Sequence, residues 1–380
     1  MLVPITNLPR DYAWGSTSLI AGLEGREPTR SPEAEVWFGD HPGSPARLPD
    51  GRTLDRWLTE EGAAVGAPVR LPYLLKLLAA ASPLSIQAHP SKAQAVAGYA
   101  REEAAGIPRD AAHRTYRDDN HKPELIVAVS DTFVALAGLR ELGATGRLLR
   151  GLGEAGTAVA DRLDASTPRD VIAWLLSGQA AAEVDGVISE ALEARSDEFA
   201  AELSLLRRFG GAFPHDPGLV VALLMNLVTL RRGEALFVDA GVLHAYVEGL
   251  GVEIMAASDN VVRGGLTPKH VDVAGLLEVV DGDPAPPPLL VPEQVAANVD
   301  RYAPPVPDFA LLRVQVDGEP VSVPLDGAAI VLAVSGSVSV SEGTPGDVVA
   351  LTPGKAGFAA GAARISLTGE GEVFVAEPGR

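Results

Sequence analysis

The spacing of apolar residues changes period twice along this chain, and that change limits the folds open to it. Between Val36 and Val134 short apolar runs are broken by Gly, Pro, Asp and Asn, as in a succession of strands. From roughly Glu141 to Arg232, Ala, Leu, Glu and Arg dominate and the repeat becomes helical. Strand patterning returns at Gly233 and runs to about Val280. Side chains alternate across a strand but recur about every 3.6 residues on a helix, so no single element satisfies both. The pattern predicts a mainly β fold with an α-helical insertion. Residues 1–140 and 233–280 form one unit, 141–232 the helical insertion, and 281–380 a second β unit beyond the Pro- and Gly-rich linker Asp281–Pro288.

Local signals add detail. Pro83–Pro90 and Lys122–Val127 read as strands; Ser91 caps a helix reaching about Ala104, and the charged stretch Arg109–Asn120 reads as a surface loop. Thr167-Pro168 opens a helix, and Val184, Val187, Ile188 and Leu192 make one helical stripe. A further helix starts at Asp216-Pro217 and carries Leu219, Leu223, Leu227 and Leu230 as far as Gly233. Strands are expected at Ala329–Val334, Val348–Leu351 and Glu372–Val375. The segments Gly233–Gly241 and Gly346–Gly354 share one form: Gly-acid, apolar strand, closing Gly. Three residues on, the first has His244 and the second Gly357. Two cupin-like jelly-roll units, only the first equipped for a metal, would produce this repeat.

With 380 residues the chain can bury a large core in more than one domain. Its net charge of −19, with no basic run, argues against nucleic acid and anionic membrane as partners. No run is apolar enough to span a bilayer and the first residues lack a signal pattern, so a cytoplasmic protein is expected. Cysteine is absent, which confines any metal to His, carboxylate or amide ligands.

Gln87 and His89 stand two apart on one strand face, Glu124 lies on a second strand behind Lys122, and His244 opens a third, with Tyr246 facing the same way. Two imidazoles, a carboxylate and an amide oxygen suit zinc, manganese or iron. Taken singly, each is as consistent with a polar strand face or a turn. Downstream, Glu253–Lys269 is polar with a Gly-Gly pair, and its Arg263 and Lys269 suit a phosphate.

In order and spacing, Leu84–Pro90, His121-Lys122-Pro123-Glu124, Gly241–Tyr246 and Ser258–Lys269 closely resemble the type I mannose-6-phosphate isomerases, and Tyr12–Gly15 and Glu35–Pro42 look like that family's opening motifs. The resemblance is strong from about Tyr12 to Val273, outside the helical stretch, and weak after Asp281. It implies a zinc enzyme, one Zn2+ per chain, interconverting mannose 6-phosphate and fructose 6-phosphate through a cis-enediol and feeding mannose and GDP-mannose metabolism. It places the zinc ligands on Gln87, His89, Glu124 and His244. It places active-site roles on Arg263, Lys122, Asp259, His121, Glu253 and Tyr246, and phosphate contacts on Ser85, Lys76 and Lys269. Lys122, Asp259, His121 and Glu253 compete for the role of base, and a hydride shift between the carbons is an alternative to proton transfer. Gly264 stands where the family usually has Ala, and Phe38 where Met is common. The partner implied is a small sugar phosphate, with a monomer expected. The alternatives are a related sugar or sugar-phosphate isomerase, or a metal cupin that binds a sugar phosphate without turnover.

Overall fold

The computed structural model describes residues 1–342 and 348–379. The first part of the chain forms β1 (Leu2–Ile5), α1 (Leu19–Leu23), β2 (Glu35–Phe38), α2 (Leu54–Glu60), β3 (Tyr73–Ala80), β4 (Gln87–Ala88), α3 (Lys92–Ala104), β5 (Glu124–Ala128) and β6 (Thr132–Leu139). A helical block follows: α4 (Leu142–Arg150), α5 (Gly153–Ala165), α6 (Pro168–Leu176), α7 (Ala181–Glu193), α8 (Ala200–Phe209) and α9 (Gly218–Leu223). The chain re-enters the sheet as β7 (Met225–Arg231), β8 (Ala235–Val238), β9 (His244–Ala256) and β10 (Val262–Arg263), then α10 (Val273–Val279) and β11 (Leu289–Leu290). The last part is all β: β12 (Glu293–Ala296), β13 (Val299–Tyr302), β14 (Ala310–Asp317), β15 (Val321–Pro324), β16 (Ala329–Ser341), β17 (Val348–Leu351), β18 (Ala356–Ala359) and β19 (Arg364–Glu377). The molecule is mainly β with helices, as the period changes predict. Among the described residues no single helix is long and apolar enough to cross a membrane.

Strand β9 organises the first sheet. From Gly249 to Ala256 it pairs antiparallel with β3, and β5 lies along its other edge; from His244 to Glu248 its partners are β4 and β6. The change of partner falls at Gly249, whose φ is +126 and where an added Cβ would come within 2.9 Å of Phe133 and Thr132, so there is no room for a side chain. Strand β9 thereby serves two sets of neighbours and presents side chains from both halves to one interior. The second sheet runs β1-β18-β16-β19-β14-β13-β12. Its outermost strand β1 comes from the start of the chain, within the stretch 1–140, while β11, beyond the linker, adds to β8 of the first sheet. A shared core in which Leu75, Leu77 and Ile254 pack with Phe309, Ile330 and Phe374 joins the two sheets. The helical block packs on Ile86, Ala88, Leu243 and Ala245 at the other side of the site.

Several local expectations need correction. The strand expected at Pro83–Pro90 forms ladder only at Gln87–Ala88, because its amides divide between partners: Leu84 donates to Tyr246 O and Ile86 to Gly265 O. The helix from Pro217 stops at Leu223, and Leu227 and Leu230 lie in β7, drawn into sheet by the open edge of β6. Residues Val273–Val279 are helical, not strand, capped by Asp272 accepting from the Gly275 amide. Leu192 points to solvent, away from the buried Val184 and Val187. The strand read from Lys122 begins only at Glu124, after Pro123, and is paired on both sides by β8 and β9. Of the repeat's second copy, Gly346 and Asp347 lie outside the described residues; its closing Gly354 has φ +81, as does Gly241 of the first.

Candidate metal centre and active site

Three chain segments bring His89, Glu124 and His244 together, with donor atoms all within 4.8 Å of one another and every side chain buried. His89 Nε2 lies 3.1 Å from Glu124 Oε1, and His244 Nε2 lies 3.4 Å from Oε2. Behind the rings, His89 Nδ1 is 2.8 Å from the Asn260 carbonyl and His244 Nδ1 is 2.9 Å from that of Val242. A carbonyl only accepts, so both rings carry their proton on Nδ1 and turn an Nε2 lone pair toward the carboxylate. His89 Nε2 is buried and has no hydrogen-bond partner among the described residues. Burial, followed by the Lys122 charge, pushes the His89 imidazole down to about 4, so it is a neutral donor at pH 7. Lone pairs converging on a carboxylate repel unless a cation lies between them, and this donor set fits a divalent ion of borderline N/O preference. The Gln87 amide completes the arc: its Nε2–H donates to His244 Nε2 at 3.3 Å, and a half-turn would present its oxygen instead.

The centre opens onto a cavity of about 520 Å³. Lys122 Nζ sits 2.8 Å from Glu124 Oε1, and the Tyr246 hydroxyl donates to Oε2 at 3.3 Å. Burial pushes the Glu124 carboxyl up, but Lys122 and the two histidines outweigh it and hold the group well below its ordinary value. Next to it, Lys76 Nζ is 2.8 Å from Glu253 and 3.6 Å from Glu35, whose other oxygen accepts from Trp37 Nε1 at 2.7 Å. Burial lifts the Glu253 carboxyl despite Lys76. The opposite wall is cationic. Arg117, Arg263 and Lys269 line the same cavity, and among the described residues none of their side chains has an ion pair or hydrogen bond. Burial, then the charge of Arg117, lowers the Arg263 guanidinium; burial, then Arg263 and Arg117, lowers the Lys269 ammonium. Three cations facing one space, none of them in an ion pair among the described residues, form a place for an anion.

Comparison with known proteins agrees with this geometry. The family model "Phosphomannose isomerase type I, catalytic domain" matches residues 2–142. The mannose-6-phosphate isomerase of Escherichia coli K12 is 36% identical over 97% of both chains, and the human enzyme is 32% identical over 96% of this chain and 94% of its own. The chain belongs to the mannose-6-phosphate isomerase family. A solved mannose 6-phosphate isomerase with zinc bound superposes with a TM-score of 0.90 at 33% identity, covering all of both chains. A structure of the Salmonella typhimurium enzyme bound to substrate and zinc matches with the same TM-score and identity, also over all of both chains.

The candidate residues take different places relative to the cavity. Gln87, Ser85, Lys76, Lys122, Glu124, Tyr246, Glu253, Asp259, Arg263 and Lys269 all line the cavity, and His89 and His244 lie beneath it. His121 is not among the lining residues; its Nε2 is 2.8 Å from Asp308 Oδ2 in the last third of the chain. Lys76 is buried between two carboxylates, which spend its charge inside the wall. Sequence reading missed Arg117 and His41. Arg117 belongs to the stretch read as a surface loop, yet Arg114, Thr115 and Tyr116 beside it are buried. Arg114 anchors the stretch on Glu102 and Glu103 of α3, and Asn260 Oδ1 accepts from the Arg117 amide at 2.7 Å. The signal was an Arg within a stretch otherwise read as solvated, whose partners are two adjacent acids on the preceding helix.

Proposed function

We propose that this chain is a zinc-dependent aldose-ketose isomerase interconverting mannose 6-phosphate and fructose 6-phosphate. The observation that carries the reading is the pairing, in one cavity, of a buried His-Glu-His centre with an unpaired cationic wall, in a chain of this family. His89, Glu124 and His244 hold the zinc, with the Gln87 amide oxygen as fourth ligand. Zinc, when bound, supplies a fixed positive charge beside the sugar oxygens on which negative charge develops. Arg263 and Lys269, with Ser85 and Arg117, hold the phosphate.

The reaction needs a proton removed from C2 of the aldose and one delivered to C1, while the O2 hydroxyl loses its proton and O1 gains one. Lys122 and Asp259 face the space where those atoms sit and carry the transfer as a pair. Glu253 and Tyr246 lie behind them, the Glu253 carboxyl lifted by burial and Tyr246 as a hydroxyl donor. Lys76 serves as counter-ion to Glu253 and Glu35, not as a phosphate contact. The fold is read as two cupin-like jelly rolls, 1–140 with 233–280 and 281–380, each lending one strand, β1 or β11, to the other's sheet, and carrying the helical domain 141–232. The protein acts as a cytoplasmic monomer on a small sugar phosphate.

The test is a coupled assay of mannose 6-phosphate to fructose 6-phosphate before and after chelation, with zinc restored. Activity lost on chelation and regained with zinc supports the reading; no turnover by the zinc-loaded protein refutes it. Solvent deuterium entering the product at C1 separates proton transfer from a hydride shift, which would leave the product unlabelled.

A further inference from the structure

His41 follows β2 and carries no role in the chemistry described so far. Its ring is nearly buried, edge-on to Trp37 with centroids 4.9 Å apart and planes at 89°. The Gly43 amide donates to His41 Nδ1 at 3.1 Å, so that nitrogen holds a lone pair and the ring proton sits on Nε2. Nε2 lies 3.2 Å from Asp259 Oδ1. The turn is built around this ring. A Cβ at position 43 would come within 3.2 Å of Nδ1 and 3.4 Å of Trp37, and Asn7 Nδ2 braces the turn by donating to Trp37 O and Ser44 O at 2.8 Å each.

Asp259 is fixed from the other side through its backbone. Its amide donates to Asp118 Oδ2 at 2.7 Å, and the next carbonyl, Asn260 O, takes the Nδ1 proton of His89. The Asp259 side chain, half-exposed at the cavity wall, would otherwise rotate freely. Burial pushes its carboxyl up, but the His41 hydrogen bond and the charges of Lys122 and Arg117 outweigh this and hold it below the ordinary value. Resting on the isomerase reading above, we infer that His41 is a positioning residue. Its Nε2–H holds one oxygen of Asp259 so that the second oxygen meets the sugar hydroxyls at the reacting carbons. His41 lines the same cavity, but the inference gives its Nε2–H to Asp259 and not to the sugar.

The experiment compares H41A, H41Q, D259N and the double variant H41A/D259N for kcat, KM for mannose 6-phosphate and zinc content. Glutamine places an N–H where Nε2 stands. The expected result is a kcat about tenfold to a hundredfold lower in H41A, the range usual for removing an orienting partner. Zinc content and KM stay near wild type, most of the rate returns in H41Q, and H41A has little further effect in the D259N background. A loss that is additive with D259N, or an H41Q no better than H41A, overturns the inference. Should H41A fail to fold, nitrogen NMR of the histidine rings in the wild-type protein decides: the Nε2–H tautomer at His41 supports the inference and the Nδ1–H tautomer overturns it. An inactive wild-type enzyme would sink the isomerase reading itself, a result distinct from a wild-type rate that H41A leaves unchanged.

Discussion

Glu124 is held by four side chains at once: Lys122 at 2.8 Å, the two imidazoles, and the Tyr246 hydroxyl. Glu124→Gln removes the only anion in the metal centre and strands a buried ammonium. The metal-free variant should be less stable than metal-free wild type by about 3–5 kcal/mol, the usual cost of breaking a buried pair, and should bind zinc below stoichiometry. Denaturant titration and metal analysis check both. Arg117 belongs to the same scale. Arg117→Ala should raise KM for mannose 6-phosphate about threefold to tenfold with a smaller change in kcat, a modest effect because the side chain is exposed. Added salt should shrink the difference between variant and wild type, which steady-state kinetics at two ionic strengths will read. The metal centre was legible because its ligands stand in short motifs on strands, where a two-residue step fixes the face. His41 and Arg117 were not, since each reaches the cavity through contacts between segments far apart in the chain.

At the level of elements, local chemistry was readable and partner choice was not. Ser91 caps α3 with a full capping box, its side chain accepting from the Gln94 amide, and Thr167 does the same for α6 with Asp170. These signals lie within four residues of one another, so no tertiary context is needed. Leu227 and Leu230 fit the helical stripe equally well, and only the edge offered by β6 makes them strand. Gly264 is another case where the element decides. Its amide donates to Ile86 O at 2.7 Å, which extends the β4–β10 pairing and ties down the loop that carries Arg263. An added Cβ would lie 3.1 Å from Leu276 Cδ2 on α10, close but against a side-chain methyl, and the residue is not in the left-handed region. Gly264→Ala should therefore be nearly neutral to stabilising, by up to about 1 kcal/mol, with activity little changed. Thermal unfolding and the isomerase assay check it, and a large loss of either would mean that Leu276 cannot give way.

Across the whole molecule, the two sheets are joined by polar contacts as well as by the shared core. Glu372 on β19 accepts from Arg313 at 3.1 Å, from Gln315 at 2.7 Å and from Arg232, in the turn after β7, at 3.1 Å. Burial pushes this carboxyl up, yet Arg313, Gln315 and Arg232 outweigh it and the group ends below its ordinary value. A depressed carboxylate contributes stability that is present above the unfolded value of about 4.3 and is lost as pH falls through the folded one. Glu372→Gln should therefore destabilise the protein at neutral pH, and the gap to wild type should close as pH falls below about 4, which urea unfolding across that range will measure. The pairing of β1 with β18 has a consequence for synthesis. On the ribosome β1 emerges long before its partner, and the second sheet cannot close until β18 has been translated. For that interval the earliest strand has an unsatisfied edge, and a nascent chain stalled before β18 would be a ready substrate for chaperones or for aggregation.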